Sequence, residues 1–444
     1  MMYWRKLISA KRLGMEAYHA GGVDDRSDFL RDYDRLIFSA PFRRLQNKTQ
    51  VFPLPGSIFV HNRLTHSLEV ACVGRSLGNR VARAILTRHP ELSDSLVGEI
   101  GSIVSAACLA HDLGNPPFGH SGERAIASYF TEGKGQALRS QLNEDEWNDI
   151  IHFEGNANAF RLLTHQFNGR RQGGFALTYS TLASIVKYPY SSYYAGGKPK
   201  FGFFQTEAET FRMIADELGL IRFSGEGEPL RYCRHPLVFL VEAADDICYQ
   251  MMDIEDAYKL KLLTREETVS LLTPFIEEHR RGHLAEVLDM VTDHNEQIAY
   301  LRSKVIGILI DECSEAFMRH EDEILNGTFS EPLIKHTSER CREAYKHCSK
   351  VAVQKIYRSR DVLDIELAGF RIINTLIELM IDAVIHPDNA YSRLLIDRVS
   401  GQYNLHAPTI YGKVQAVFDY ISGMTDVFAL DLYRKINGNS LPAV

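Results

Sequence analysis

Cysteine is scarce and unpatterned: seven residues, at 72, 108, 233, 248, 313, 341 and 348, an odd number with no Cys-x-x-Cys pair. That argues against a disulfide framework and a thiolate zinc site, and fits a reducing compartment. Long apolar runs are missing too. No stretch approaches the roughly 20 residues that span a bilayer, and the N-terminus has no signal-peptide core, so a soluble cytoplasmic protein is expected. An excess of positive charge is absent: 50 Lys and Arg stand against 57 Asp and Glu, a net charge of −7 at pH 7 with a pI of about 6.2. Nothing global draws the chain to nucleic acid or anionic membrane, so a polyanionic ligand needs a local basic pocket. Internal repeats and low-complexity tracts are also absent, and strand-like alternation is rare. With 45% hydrophobic and 24% charged residues over 444 positions, the chain can bury a real core, and the pattern predicts an all-α fold.

What is present is one stretch around which the rest is organised, His111-Asp112-Leu113-Gly114-Asn115-Pro116-Pro117-Phe118-Gly119-His120. The apolar run 103–110 before it reads as a buried helix, which Gly114 and two prolines then end. An imidazole and a carboxylate thus stand side by side at a helix end, with a second imidazole nine residues later. At a terminating turn both can converge on one cation. Neutral imidazole with carboxylate is a ligand set for a borderline divalent metal such as Mn, Fe, Co, Ni or Zn.

In chain order, residues 1 to about 35 read as a partly irregular arm with Gly21-Gly22 as a break. Helices are expected over 32–51 (broken at Pro41), 65–88, 99–113, 121–130, 148–167, 181–188, 236–258, 294–319 and 367–385, and a segment from 411 to 436 ends the chain. Residues 52–62 and 131–147 read as loops, and 220–234 as a short hairpin. The loop 188–204 carries too many aromatics for plain disorder and reads as a binding segment. The basic run Lys346, Lys350, Lys355, Arg358 and Arg360 reads as a solvated face. Three regions follow: an N-terminal arm (1–60), a core (61–260) and a helical C-terminal region (261–444).

A metal site needs about four protein ligands with positions left open for water and substrate. His111 and Asp112 supply two, and His66, at a helix start, is a third candidate. The fourth is sought in Glu242-Ala243-Ala244-Asp245-Asp246-Ile247-Cys248-Tyr249, because two aspartates inside an apolar helix are costly unless paired or metal-bound. Asp245, Tyr249 and Asp253 share one helical face, and Asp246 lies about a quarter turn away. If the Tyr249 face lines a pocket, Asp245 is the ligand.

His66, His111-Asp112 and Asp245 resemble the H…HD…D pattern of the HD superfamily of metal-dependent phosphohydrolases. The segments 43–51, 62–67, 111–123, 153–156, 185–189, 242–249 and 422–426 are similar, more narrowly, to its deoxynucleoside triphosphate triphosphohydrolases, in particular to the shorter dGTPase-like bacterial subgroup. The resemblance implies an all-α HD fold with extra C-terminal helices and cleavage of a dNTP, dGTP or a broader set, at the α-phosphate to deoxynucleoside and tripolyphosphate. It implies Mn, Mg, Co or Ni as cofactor, and a homo-oligomer, often a hexamer, in which a region near the basic run can hold a regulatory dNTP.

By the same resemblance His120 acts near the leaving 5′-oxygen, with Glu123 at i+3 expected to orient its ring and raise its pKa, and Glu154 as a further acid. Arg63, Lys187, Arg302 and Lys304 are the cations available to a triphosphate, although Arg302 and Lys304 can equally pair with surface acids. Tyr249 is expected to pack where a ribonucleotide 2′-hydroxyl would sit, Asp253 to accept from the 3′-hydroxyl, and Gln50 and Val51 to line the base pocket. Two other readings compete. One is another HD nucleotidase or phosphodiesterase. The other is a nucleic-acid-binding regulatory protein with a vestigial site and weak affinity for single-stranded DNA, which the complete ligand set and net acidity argue against.

Overall fold

Helices carry the architecture of the computed structural model, which describes residues 1–16, 25–52, 60–196 and 200–440. The Gly21-Gly22 break and most of the expected 52–62 loop lie outside these residues. Among the described residues β pairing is limited to isolated bridges, such as Thr49 with Asn62, so the chain is all-α.

The helices that line the site or pack around it are α1 (Arg63–Arg88), α2 (Ile100–Ala110), α3 (Gly119–Thr131), α4 (Gly155–Thr164), α5 (Tyr179–Ile185), α6 (Val238–Lys259), α7 (His294–Arg319), α8 (Glu339–Val351), α9 (Arg360–Ile385), α10 (Ile410–Ser422) and α11 (Asp426–Ile436). A reciprocal cap starts α1: the Asn62 side chain accepts from the Thr65 N–H at 2.9 Å, and the Thr65 hydroxyl accepts from the Asn62 N–H at 3.1 Å. Helix α2 is almost wholly buried and lies so close to α1 that a Cβ on Gly78 would stand 2.7 Å from the Gly101 Cα. That is the packing of a continuous apolar run, and the polar pair His111 and Asp112 follows directly at its C-terminal end.

Several boundaries differ from the sequence expectation. Helix α2 ends at Ala110 rather than 113, so His111 to Gly114 form a tight turn. The turn is locked because a Cβ on Gly114 would fall 2.1 Å from the Ala159 N and the Gly155 O of α4. Gly114→Ala is therefore expected to cost about 2–3 kcal/mol, seen as a calorimetric fall in Tm; an unchanged Tm would refute this packing. The single helix expected over 148–167 is two, Glu144–Ile151 and α4, because Glu154 turns its carboxylate back to cap α4 through the Asn156 N–H at 2.7 Å. The expected 131–147 loop thereby loses its last residues to the first of these helices and holds a 3₁₀ segment, Lys134–Gln141. Helix α5 stops at Ile185, three residues before Tyr188.

The described apolar residues form two cores. One runs from Met2 through α1, α2 and α6 to Val362; the other packs Ala125, Phe130, Ile150 and Phe153 against α9, α10 and α11. Asp149 is fully buried in the second, accepting from the Ser192 hydroxyl at 2.6 Å, the Gln205 N–H at 2.7 Å and the Tyr411 hydroxyl. Burial outweighs these donors and pushes its carboxyl up to about 7. The folded chain therefore binds this proton more tightly than the unfolded chain, whose aspartate titrates near 4. Its stabilising contribution is complete below about pH 4 and is lost as pH rises to about 7. Asp149→Asn is expected to flatten that part of the urea-midpoint profile against pH.

Candidate active site

The turn after α2, the start of α1 and the middle of α6 meet at one point. The ligand atoms of His66, His111 and Asp112 all lie within 4.8 Å of one another. From α6, Asp245 brings its Oδ1 to 3.1 Å from His66 Nε2 and 3.6 Å from His111 Nε2. His111 Nδ1 donates to the Cys108 carbonyl at 2.6 Å, which fixes its tautomer and turns the Nε2 lone pair into the site. That Nε2 is buried without a hydrogen-bond partner. Burial disfavours the imidazolium of His111, yet Asp112 and Asp245 outweigh it and raise the pKa to about 9. The same field favours a cation at this spot, so the donor set fits a divalent metal.

Asp112 is oriented from both sides: Arg63 donates to its Oδ2 at 2.6 Å, and Asn115 donates to its Oδ1. Burial pushes this carboxyl up, but Arg63, His111 and His66 prevail and hold it below the usual range. Asp246 faces elsewhere. Burial raises its carboxyl to about 7, with Lys187 opposing the shift.

A cleft of about 290 Å³ opens from this cluster, lined by Gln50, Arg63, His111, Asp112, Asn115, His120, Glu123, Glu154, Lys187, Tyr188, Lys200, Glu242, Asp245 and Tyr249 among others. Gln50 keeps a buried Oε1 with no hydrogen-bond partner. Lys187 pairs with Glu242 at 3.1 Å; the same carboxylate takes Arg234 at 3.0 Å. Lys200 pairs with Glu154 at 2.6 Å. Burial raises both Glu123 and Glu154, their mutual repulsion adds for Glu154, and Lys200 opposes.

Glu123 does not act on His120 as expected. Its Oε1 accepts from the Gly155 N–H at 2.9 Å, which ties α3 to the α4 cap. Solvent reaches the His120 ring, yet partial desolvation, then Arg63 and Lys200, lower its pKa rather than raise it. Arg302 and Lys304 stay outside the cleft, because α7 buries the face carrying Leu301 and Val305 and turns these cations away. Arg302 pairs with Glu255, and Lys304 is exposed over the Tyr300 ring. Val51 is half-buried and does not line the cleft. Asp253 is buried behind Tyr249 and accepts from the Tyr357 hydroxyl at 2.6 Å; burial pushes its carboxyl up to about 8. In the basic run, Lys346 pairs with Glu343, Lys355 with Glu267 and Arg360 with Asp364, as on a solvated face.

Sequence reasoning missed Asn115, Lys200 and Tyr357. Lys200 had a signal, a cation inside an aromatic loop already read as a binding segment. Tyr357 had none: its partner Asp253 lies 104 residues away, and its ring stacks on Tyr249 at 5.9 Å between centroids.

This turn on an all-α scaffold, with its His and Asp cluster, is that of the HD-domain phosphohydrolases. The HD domain model matches residues 63–166, and the phosphohydrolase-associated domain model matches 335–435. The chain is 36% identical to a deoxyguanosinetriphosphate triphosphohydrolase-like protein of Pseudomonas aeruginosa, over the whole of both chains. It is 38% identical to one from Synechocystis, covering 99% of this chain and 100% of that one. Against the deoxyguanosinetriphosphate triphosphohydrolase of Yersinia enterocolitica it is 30% identical over 92% of this chain and 93% of the relative. The chain belongs to the deoxyguanosinetriphosphate triphosphohydrolase-like family of HD-domain hydrolases. Among the described residues no helix is long and apolar enough to cross a membrane.

Proposed function

We propose that the cleft hydrolyses a deoxynucleoside triphosphate, dGTP or a broader set, at the α-phosphate, releasing deoxynucleoside and intact tripolyphosphate. The observation that carries this reading is one continuous cleft with the His66, His111, Asp112 and Asp245 cluster, His120, and the cations Arg63, Lys187 and Lys200. A divalent ion held by those four residues, Mn, Mg, Co or Ni, would supply polarisation of an α-phosphate oxygen and an activated water. Arg63, Lys187 and Lys200 neutralise the triphosphate locally in an acidic protein. Tyr249 lines the cleft, held by its stacking on Tyr357, and would pack against the sugar where a ribonucleotide 2′-hydroxyl would sit. The buried Gln50 carbonyl gains a partner when it accepts from a base.

The test is product analysis with each dNTP, singly and mixed, plus Mn or Mg. Deoxynucleoside and tripolyphosphate in equal amounts are expected; orthophosphate or pyrophosphate as the first product would refute the reading. His120 donates the proton that the departing 5′-oxygen needs. In the free protein burial, then Arg63 and Lys200, hold its pKa down. A bound polyanion reverses their field and raises it, so the ring gains its proton as substrate binds. The alkaline limb assigned to this proton is therefore expected at higher pH in kcat, which reports the complex, than in kcat/KM, which reports the free enzyme. Coincident limbs would contradict this.

The reading includes a homo-oligomer, with a hexamer favoured and a regulatory dNTP near the 346–360 region. Exposed Leu363, Leu367 and Phe370, at i, i+4 and i+7 on α9, support a face between subunits. Light scattering with and without dNTP is the measurement that checks it.

A further inference from the structure

Asp426 lines no part of the cleft, yet it holds the backbone beside two of the residues that do. It closes Ser422-Gly423-Met424-Thr425-Asp426, the junction from the last residue of α10 to the first of α11, to which the proposed reaction gives no role. Its Oδ2 accepts from the Thr49 N–H at 2.8 Å and its Oδ1 from the Phe118 N–H at 3.0 Å, and the residue is buried. Thr49 precedes Gln50; Phe118 stands two residues before His120.

The second amide sits in an unusual place. Phe118 lies at φ 61°, ψ 20°, in the left-handed region that disfavours side chains, and Gly119 follows at φ 55°. Such a conformation persists only where its surroundings hold it. Here the hold is double: the Asp426 bond to the amide, and the seat of Phe118 against Gly369 of α9, where an added Cβ would come within 2.5 Å of the Phe118 side chain. The same segment is tied again to the chain before Gln50 and to the turn after α2. Lys48, also buried, donates from Nζ to the Ser422 carbonyl at 2.7 Å and to the Asn115 carbonyl at 2.6 Å. Arg44 Nη1 donates to the Gly423 carbonyl at 2.9 Å.

We propose that Asp426 is a positioning residue for the hydrolysis: by bonding the amides of Thr49 and Phe118 at once, it sets the reach between His120 and the Gln50 end of the cleft. The proposal rests on the hydrolase reading above. A carboxylate suits the task because it accepts with two oxygens and donates nothing. Asp426→Asn keeps one acceptor and turns an NH₂ against the other amide.

The experiment is a kinetic cycle on the full chain with dGTP and Mn: wild type, D426N, H120A and the double variant. D426N is expected to lower kcat about 10- to 100-fold, with KM within about threefold and Mn affinity unchanged. In the H120A background D426N should cost less than about twofold, because its loss passes through His120. Two losses that multiply independently, or a wild-type kcat for D426N, would overturn the proposal. Should D426N precipitate, D426E, which keeps both oxygens on a longer arm, goes through the same cycle with the same expectations. Amide hydrogen exchange reads the tie without turnover: D426N should accelerate exchange in 47–52 and in 116–122 together. Acceleration in only one of them overturns the proposal, even if the wild type cleaves no dNTP, a result that separately fails the hydrolase reading.

Discussion

Asp245→Ala is expected to abolish divalent-metal binding and to lower turnover by at least about 1,000-fold, whereas Asp246→Ala should keep metal affinity. The size follows from losing a Lewis acid worth several kcal/mol of transition-state stabilisation, at 1.36 kcal/mol for each decade of rate. Asp245 is the α6 carboxylate beside both imidazoles, 3.1 Å from His66 Nε2 and 3.6 Å from His111 Nε2. Without it the orphaned Nε2 of His111 faces a site short of one anion. Asp246 has a different neighbourhood: after burial, Lys187 and Glu242 act on it more strongly than Asp245 does. Its loss should disturb Lys187 and raise KM modestly. Mn titration by electron paramagnetic resonance, run beside steady-state kinetics, decides between the two aspartates. The reverse pattern, metal lost in D246A and retained in D245A, would overturn the ligand assignment.

His120→Ala is expected to leave metal affinity intact and to cut kcat by about 100- to 10,000-fold, the span that a positioned general acid contributes. His120 stands apart from the His66, His111 and Asp112 cluster but lines the same cleft. The discriminating substrate is a phosphodiester with a 4-nitrophenolate leaving group, which departs without a proton. H120A should cleave that substrate almost as fast as the wild type, while its dNTP hydrolysis collapses. Equal losses on both would mean that His120 serves binding or structure and donates no proton.

Particular residues mark how far the sequence could be read. Helix α2 was legible because a continuous apolar run ended by glycine and prolines is a local signal; only its last three residues were misjudged, since the clash-free docking of Gly114 on α4 is a tertiary matter. Glu154 was misread as mid-helix because its capping role depends on a chain break that periodicity does not show. Glu123 and His120 sit at i, i+3 spacing, which permits contact without requiring it. The Gly155 amide, 32 residues away from Glu123, took the carboxylate instead.

By itself the sequence determined the helical class, the terminating turn that pairs His111 with Asp112, the alignment of Asp245, Tyr249 and Asp253 on one helix face, and the family to which these motifs belong. Only the tertiary structure decided which side chains share the cleft: it brought in Lys200 and Asn115, turned Arg302 and Lys304 away, set Tyr357 over Asp253, and tied the C-terminal segment to both Thr49 and Phe118. The physical reason is range. Helix ends and faces follow from backbone sterics and a 3.6-residue period acting over a few residues. The direction a face points is settled by apolar packing and hydrogen bonds between segments hundreds of residues apart, as between Thr49 and Asp426, where no local rule applies.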